Sequence, residues 1–232
     1  MADNVVSMEK KKGDAGAQQK VENFLLHNRK PLLGVIAVLV VAAIAVSVVF
    51  CVLDVGKKAG LKAVDAIENT YTKNNDSLTD AELEARQNAA LEALTPYLSK
   101  KSVVGIRASM LAAEIYFERK NFAESLTHWV NAASYNEKAY TAPICYYNAA
   151  VCNDEVGNKD DAASYYTKAA EKEDFYLASH ALFNVGRIKE SAGDYAGAVV
   201  AYQKAIDLYS GDDYAKLSQS RIIALKADGK AE

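Results

Sequence analysis

Residues 147–170 read YNAAVCNDEVGNKDDAASYYTKAA, and this stretch decides the fold because the chain holds two more copies that align with it without gaps. Met110 opens MLAAEIYFERKNFAESLTHWVNAA and Phe183 opens FNVGRIKESAGDYAGAVVAYQKAI, so the three starts lie 37 and 36 residues apart. Self-similarity at that period predicts an array of helical hairpins. Each copy has a small residue early: Ala113, Ala150, Gly186. Each then has Asn121, Asn158 or Asp194, residue types suited to N-cap a second helix. Gly157 and Gly193 precede two of these caps, where a helix needs a left-handed stop. Ser125, Ala162 and Ala198 follow, then a bulky aromatic (Trp129, Tyr166, Tyr202), then Ala132, Ala169 and Ala205. Small residues let an antiparallel partner helix approach, and the aromatic fills the space beside them. Each such hairpin leaves an apolar face that only a neighbouring hairpin can cover, so the units must stack. After the third copy, residues 212–227 (DDYAKLSQSRIIALKA) predict a capping helix with Tyr214, Leu217, Ile222 and Leu225 inward.

Towards the N-terminus the pattern thins. Residues 57–73 place Leu61, Val64, Ile67 and Tyr71 at helical spacing, which predicts an amphipathic helix. NNDSL breaks it, and Thr79 with Glu82 forms a capping-box pattern opening a helix to about Ser99. Further back, Pro31 to Leu53 is 23 residues without a charge. As a helix this run spans about 34 Å, enough for a hydrocarbon core of about 30 Å. It begins too late and runs too long for a cleaved signal sequence, and no small-x-small site follows Leu53. Phe50 stands where a lipoprotein cysteine at position 51 requires a small residue, so a retained span is the expectation. Val21, Phe24 and Leu25 give residues 20–30 one apolar side, an interfacial helix leading into the span. Residues 1–19 are polar and are expected to be disordered. The organisation is thus 1–30 tail and lead helix, 31–53 transmembrane helix, 54–104 linker helix and degenerate hairpin, and 105–227 repeats and cap.

Residues 1–30 hold six Lys/Arg and four Asp/Glu, whereas residues 54–232 hold 21 basic and 26 acidic residues. An acidic domain argues against nucleic acid as a partner. The basic residues before the span outnumber Lys57, Lys58, Lys62 and Lys73 just after it, which favours an N-terminus inside and the large domain outside. In a bacterium that means a single-pass inner-membrane protein with a periplasmic domain. Cys145 and Cys152 lie seven apart on one predicted helix, about 10 Å in rise, too far to bridge each other.

The small–small–aromatic–Ala pattern resembles the tetratricopeptide repeat (TPR), which implies an all-α helical-hairpin solenoid behind one N-terminal transmembrane helix. The resemblance covers about 105–208, and Ala90, Leu94 and Tyr97 match it partly. No proline closes a repeat, the period exceeds the usual one, and Asn153 and Lys189 stand where a large apolar residue is common. The whole layout, with the lead VENFLLHNRKPLLGV (Val21–Val35), is similar to the YfgM family of bacterial inner-membrane proteins. That resemblance implies an ancillary role at the SecYEG translocon and in periplasmic chaperone traffic, with exported chains as clients.

Catalysis finds no support in the sequence, and no cofactor, metal or small-molecule substrate is expected. His27, His128 and His180 are isolated from one another, and there is no Cys/His ligand spacing or phosphate-binding glycine loop. Binding is better supported. In a TPR-like stack the first helix of each hairpin lines a groove. By position this implies Arg107, Met110, Glu114 and Phe117, then Ile144, Tyr147, Val151 and Asp154, then His180, Phe183, Arg187 and Glu190. Aromatics and Arg are the types that anchor protein interfaces. The expected function is a membrane-tethered protein-binding module, an ancillary translocon subunit or chaperone-like adaptor. The alternatives are a scaffold in envelope assembly or cell division, and a cytoplasm-facing adaptor.

Overall fold

The computed structural model describes Gly16 and residues 18–172 and 174–231; most of the polar tail expected at 1–19 lies outside them. The described residues contain helices and one short 3-10 turn, with no strand. Two units divide the chain, Met1–Gly56 and Lys57–Glu232. The first holds α1 (residues 18–27) and the start of α2 (Arg29–Thr72). α2 is the described helix long and apolar enough to cross a membrane. The apolar side chains of its uncharged run are exposed, Val38 by 69% and Phe50 by 68%. Pro31 falls in its first turn, where a missing N–H costs little. The amphipathic segment expected after Leu53 is not a separate helix but the continuation of α2 to Thr72.

The second unit is a stack of helix pairs. From Lys57 onward, α2 buries Val64 and Tyr71 in a core with Ala90 and Leu94 of α3 (Asp80–Leu98) and Leu111 and Ile115 of α4 (Val103–Glu118). The capping box forms as its residues predict: Glu82 N donates to Thr79 Oγ1 (3.3 Å) and Thr79 N donates to the Glu82 carboxylate (2.8 Å). Three hairpins follow: α4 with α5 (Phe122–Tyr135), α6 (Ala142–Glu155) with α7 (Lys159–Ala170), and α8 (Ala178–Ser191) with α9 (Tyr195–Leu208). Each second helix packs on the next first helix, and α10 (Asp213–Ala227) closes the stack on α9 and α8.

The repeated small and aromatic positions are the core. Ala113, Ala150, Trp129, Tyr166 and Tyr202 are buried, as are Ala132, Ala169 and Ala205. Ser125 fits among them because its hydroxyl donates to Ala113 O (2.8 Å). Each hairpin turn repeats one hydrogen bond: Asn121 N to Tyr116 O (2.9 Å), Asn158 N to Asn153 O (2.8 Å) and Asp194 N to Lys189 O (2.9 Å). This is the Schellman closure, which puts the preceding residue in the left-handed region. Gly157 and Gly193 take it at φ +85° and +79°, and in the first repeat Lys120 takes it at φ +58°.

Four local details depart from the sequence expectation. Asn158 occupies the N-cap position but its side chain caps nothing, whereas Asn121 and Asp194 accept from Glu124 N and Gly197 N. Asn153 is buried and donates to Ala149 O (3.1 Å), so the apolar slot is filled by a satisfied amide. Lys189 instead reaches Asp194 (2.8 Å) across the turn. Leu217 is 48% exposed, and the inward face of α10 is Ala215, Ser218, Ile222 and Leu225.

Candidate functional site

The first helices α4, α6 and α8 bring the twelve expected groove residues onto one succession of elements, but into different settings. Tyr147 is buried. Its hydroxyl meets His180 Nδ1 (2.8 Å) and its ring touches Tyr166 and Phe175. Desolvation, with Tyr214 and Tyr176 nearby, pushes its hydroxyl up to about 12, so it stays protonated. His180 stacks on Tyr214 with centroids 3.8 Å apart and planes 11° apart. Burial and the Arg187 charge hold the imidazole below its ordinary pKa, although Asp212 opposes this. Phe183 packs between Tyr202 and Tyr214, and Phe117 packs edge-on against Phe122. Tyr147 therefore packs within and between repeats, Phe183 packs within its hairpin and against α10, and Phe117 packs within its own hairpin; Phe117 and Phe183 remain half-buried. Position on the first helix did not reveal these contacts, because the neighbouring rings come from later in the chain.

The charged members form an interrupted ladder of ion pairs that joins α4 to α2, α6 to α8 and α8 to α10. Arg107 pairs with Glu68 and, at 3.7 Å, with Asp65. Asp154 pairs with Arg187 and Lys159. Burial raises the Asp154 carboxyl, but hydrogen bonds and charge from Lys159 and Arg187 outweigh it and leave the pKa below the usual value. Glu190 pairs with Arg221 and accepts from Tyr202 Oη (2.9 Å), contacts that also hold its carboxyl low. Glu114 is exposed yet crowded by protein, and desolvation together with Glu68 and Glu118 raises its pKa, with Arg107 opposing.

Between α4 and α6 the ladder stops: among the described residues no hydrogen bond or ion pair joins these two helices. A cleft of about 960 Å³ lies there instead. Arg107, Met110 and Ile144 line it, with Leu61, Lys101 and Tyr140. A second cleft of about 700 Å³ shares the wall Ala139, Tyr140, Thr141 and Ile144 and extends to Lys172 and Tyr176. Val151 is half-buried on α6. Sequence reasoning missed Tyr140 and Tyr176. Both sit in loops just before α6 and α8, and the signal was the repeat period itself, which separates them by 36 residues.

No group of three or more His, Cys, Asp or Glu residues positioned to hold a metal occurs among the described residues. Cys145 and Cys152 are free and buried, and Cys152 Sγ lies 3.3 Å from Ser125 Oγ. The arrangement offers apolar surface, aromatic edges and fixed charge.

Comparison with known proteins agrees with this geometry. Residues 154–213 match the family model of the tetratricopeptide repeat. A TPR repeat-containing protein of Treponema pallidum (strain Nichols) is 37% identical over 122 residues, 53% of this chain and 51% of that protein. Response regulator aspartate phosphatase J of Bacillus subtilis (strain 168) is 31% identical over 99 residues, 40% of this chain and 26% of that protein. The chain thus spans about half the length of the first and a quarter of the second. Among solved structures, the kinesin light chain TPR-like repeats of Podosopora anserina superpose with a TM-score of 0.54 at 10% identity, covering 73% of this chain and 86% of that one. The apo form of RapI gives 0.52 at 14% identity, covering 68% of this chain and 46% of that one. Residues 154–213 thus match the tetratricopeptide repeat, and the all-helical stack around them has a TPR-like fold.

Proposed function

We propose that this chain is a membrane-tethered protein-binding adaptor. The observation behind this reading is one chain that joins an exposed apolar helix to a repeat stack with an apolar-floored cleft. The Lys/Arg excess before Pro31 supports an N-terminus inside and the stack outside, periplasmic in a bacterium. Tethering confines the stack near the membrane and raises the effective concentration of chains emerging there, so weak contacts suffice. The similarity of the layout to the YfgM family supports exported proteins beside the SecYEG translocon as the clients, in an ancillary or chaperone-like role. The module binds rather than catalyses. Purification of the full chain from its native membranes in mild detergent tests the reading: translocon subunits with several exported chains should co-purify. A single stoichiometric envelope or division partner without translocon would replace the adaptor with a scaffold. A reporter fused at the C-terminus should be active only outside the cytoplasm.

A further inference from the structure

Seven residues before Met110, Tyr147 and Phe183 stand Val103, Tyr140 and Tyr176. They are exposed by 47%, 92% and 76%. Three successive repeats thus leave a large apolar side chain in water at the same register, at or just before the first helix of each hairpin. Scattered exposed apolar residues are ordinary, but a row fixed by the repeat is not scattered. Val103 borders the larger cleft, Tyr176 borders the smaller, and Tyr140 stands on their shared wall.

The charge of the larger cleft opposes that of its domain. Residues 54–232 are net acidic, yet this cleft is lined by Lys57, Lys101 and Arg107 and by no carboxylate among the described residues. Arg107 is engaged by Glu68 and Asp65, whereas the ammonium groups of Lys57 and Lys101 form no ion pair or hydrogen bond with any described residue. Their charge is free for a ligand. The floor is Leu61, Ile106, Met110 and Ile144.

We infer that the cleft between α4 and α6 docks an extended acidic peptide segment whose large apolar side chains lie along Val103, Tyr140 and Tyr176. The lysines take the carboxylates, the floor takes the apolar groups, and Tyr140 supplies rigid contact area at low entropic cost. The continuation of the groove towards Tyr176 balances Glu137 and Asp174 against Lys138 and Lys172, so the carboxylates of the segment lie over Lys57 and Lys101 and its apolar side chains continue past Tyr140; a uniformly anionic lipid surface does not match that change of charge along the groove. The inference rests on the protein-binding reading of the stack and adds the chemistry of the bound segment.

The test uses the full chain in phosphatidylcholine nanodiscs and two labelled peptides of about 12 residues. Both carry the same Phe and Leu residues, alternating with Asp in one and Lys in the other. The acidic peptide should bind at least about tenfold tighter. Lys57→Glu with Lys101→Glu should erase or reverse that preference, and Tyr140→Ala should weaken the acidic peptide about fivefold. All three positions are surface, and unchanged helical circular dichroism verifies that the variants fold. Equal affinity for the two peptides, or an acidic preference that survives the double charge reversal, overturns the inference. So does a cleft that ignores both peptides but binds phosphatidylglycerol vesicles in a lysine-dependent way. If co-purification still yields exported chains after any of these results, the adaptor reading stands without this cleft. If the wild type captures no chain at all, the adaptor reading itself fails.

Discussion

The ring of Tyr202 lies so close over Gly186 that a methyl group on the glycine would stand 2.4 Å from Cε1. In the other two repeats the same pair is Ala113 with Trp129 and Ala150 with Tyr166. The third repeat has exchanged a methyl for a closer ring. Tyr202 uses that approach to reach Glu190, which also binds Arg221, so the contact ties the last hairpin to the capping helix.

Gly186→Ala should therefore destabilise the stack. Overpacking costs about 1–3 kcal/mol and the better helix former returns about 0.5–1, so the net loss reaches about 2.5 kcal/mol. Chemical denaturation of the full chain in nonionic detergent reads it. In a Tyr202→Leu background the same substitution should cost nothing or stabilise slightly, because the ring is gone.

The three hairpin turns form an internal comparison. Lys120 adopts the left-handed conformation that glycine adopts in the next two repeats. Lys120→Gly should raise stability by about 0.5–1 kcal/mol, and Gly157→Ala should lower it by about 1 kcal/mol. No Cβ contact confounds the second substitution, since Gly157 faces open space. The denaturation midpoint is again the readout, and a Lys120→Gly variant less stable than wild type would contradict the account of the turn.

Asp154 predicts a pH dependence. Its carboxyl is held below the usual range in the folded state, where Lys159 and Arg187 reach it. A group with a depressed folded pKa contributes stability above its unfolded value, about 3.9 for Asp, and loses it as pH falls through the folded value. Wild type and Asp154→Asn should therefore differ by up to about 1 kcal/mol at pH 7, less in high salt, because Arg187 is partly solvated. The difference should vanish at acid pH. Denaturation midpoints between about pH 3 and 7 measure it.

The cysteines of α6 should be silent. Both are buried, and burial, with some contribution from Glu114, pushes the Cys145 thiol up to about 12. Thiolate is the reactive form, so native Cys145 and Cys152 should resist alkylating reagents under conditions that label an exposed cysteine within minutes. Denaturation should expose both, detected by mass shift.

Much of this was legible in sequence, for reasons that can be named. The capping box at Thr79 and Glu82 and the glycine stops at 157 and 193 are local, and local chemistry decides them. The small–aromatic pairs are non-local, but the repeat prints them three times. What sequence hid depends on neighbours from outside the repeat. Tyr147 and Phe183 sit on the expected helices, yet Tyr214 of α10 and Phe175 of a loop help cover them. Leu217 yields to Ser218 because α10 lies close against α9 and α8. Tyr140 and Tyr176 lie in loops, where helical periodicity says nothing.

The most direct test of a tethered module that receives protein chains is site-specific photo-crosslinking in native membranes. A photoreactive residue replaces Tyr140 beside the cleft or, as a control, Val200 on the exposed side of α9, which is 69% exposed. The account predicts covalent adducts with exported chains from position 140 and few or none from position 200. Equal adducts from both positions, or adducts from position 200 alone, would contradict it.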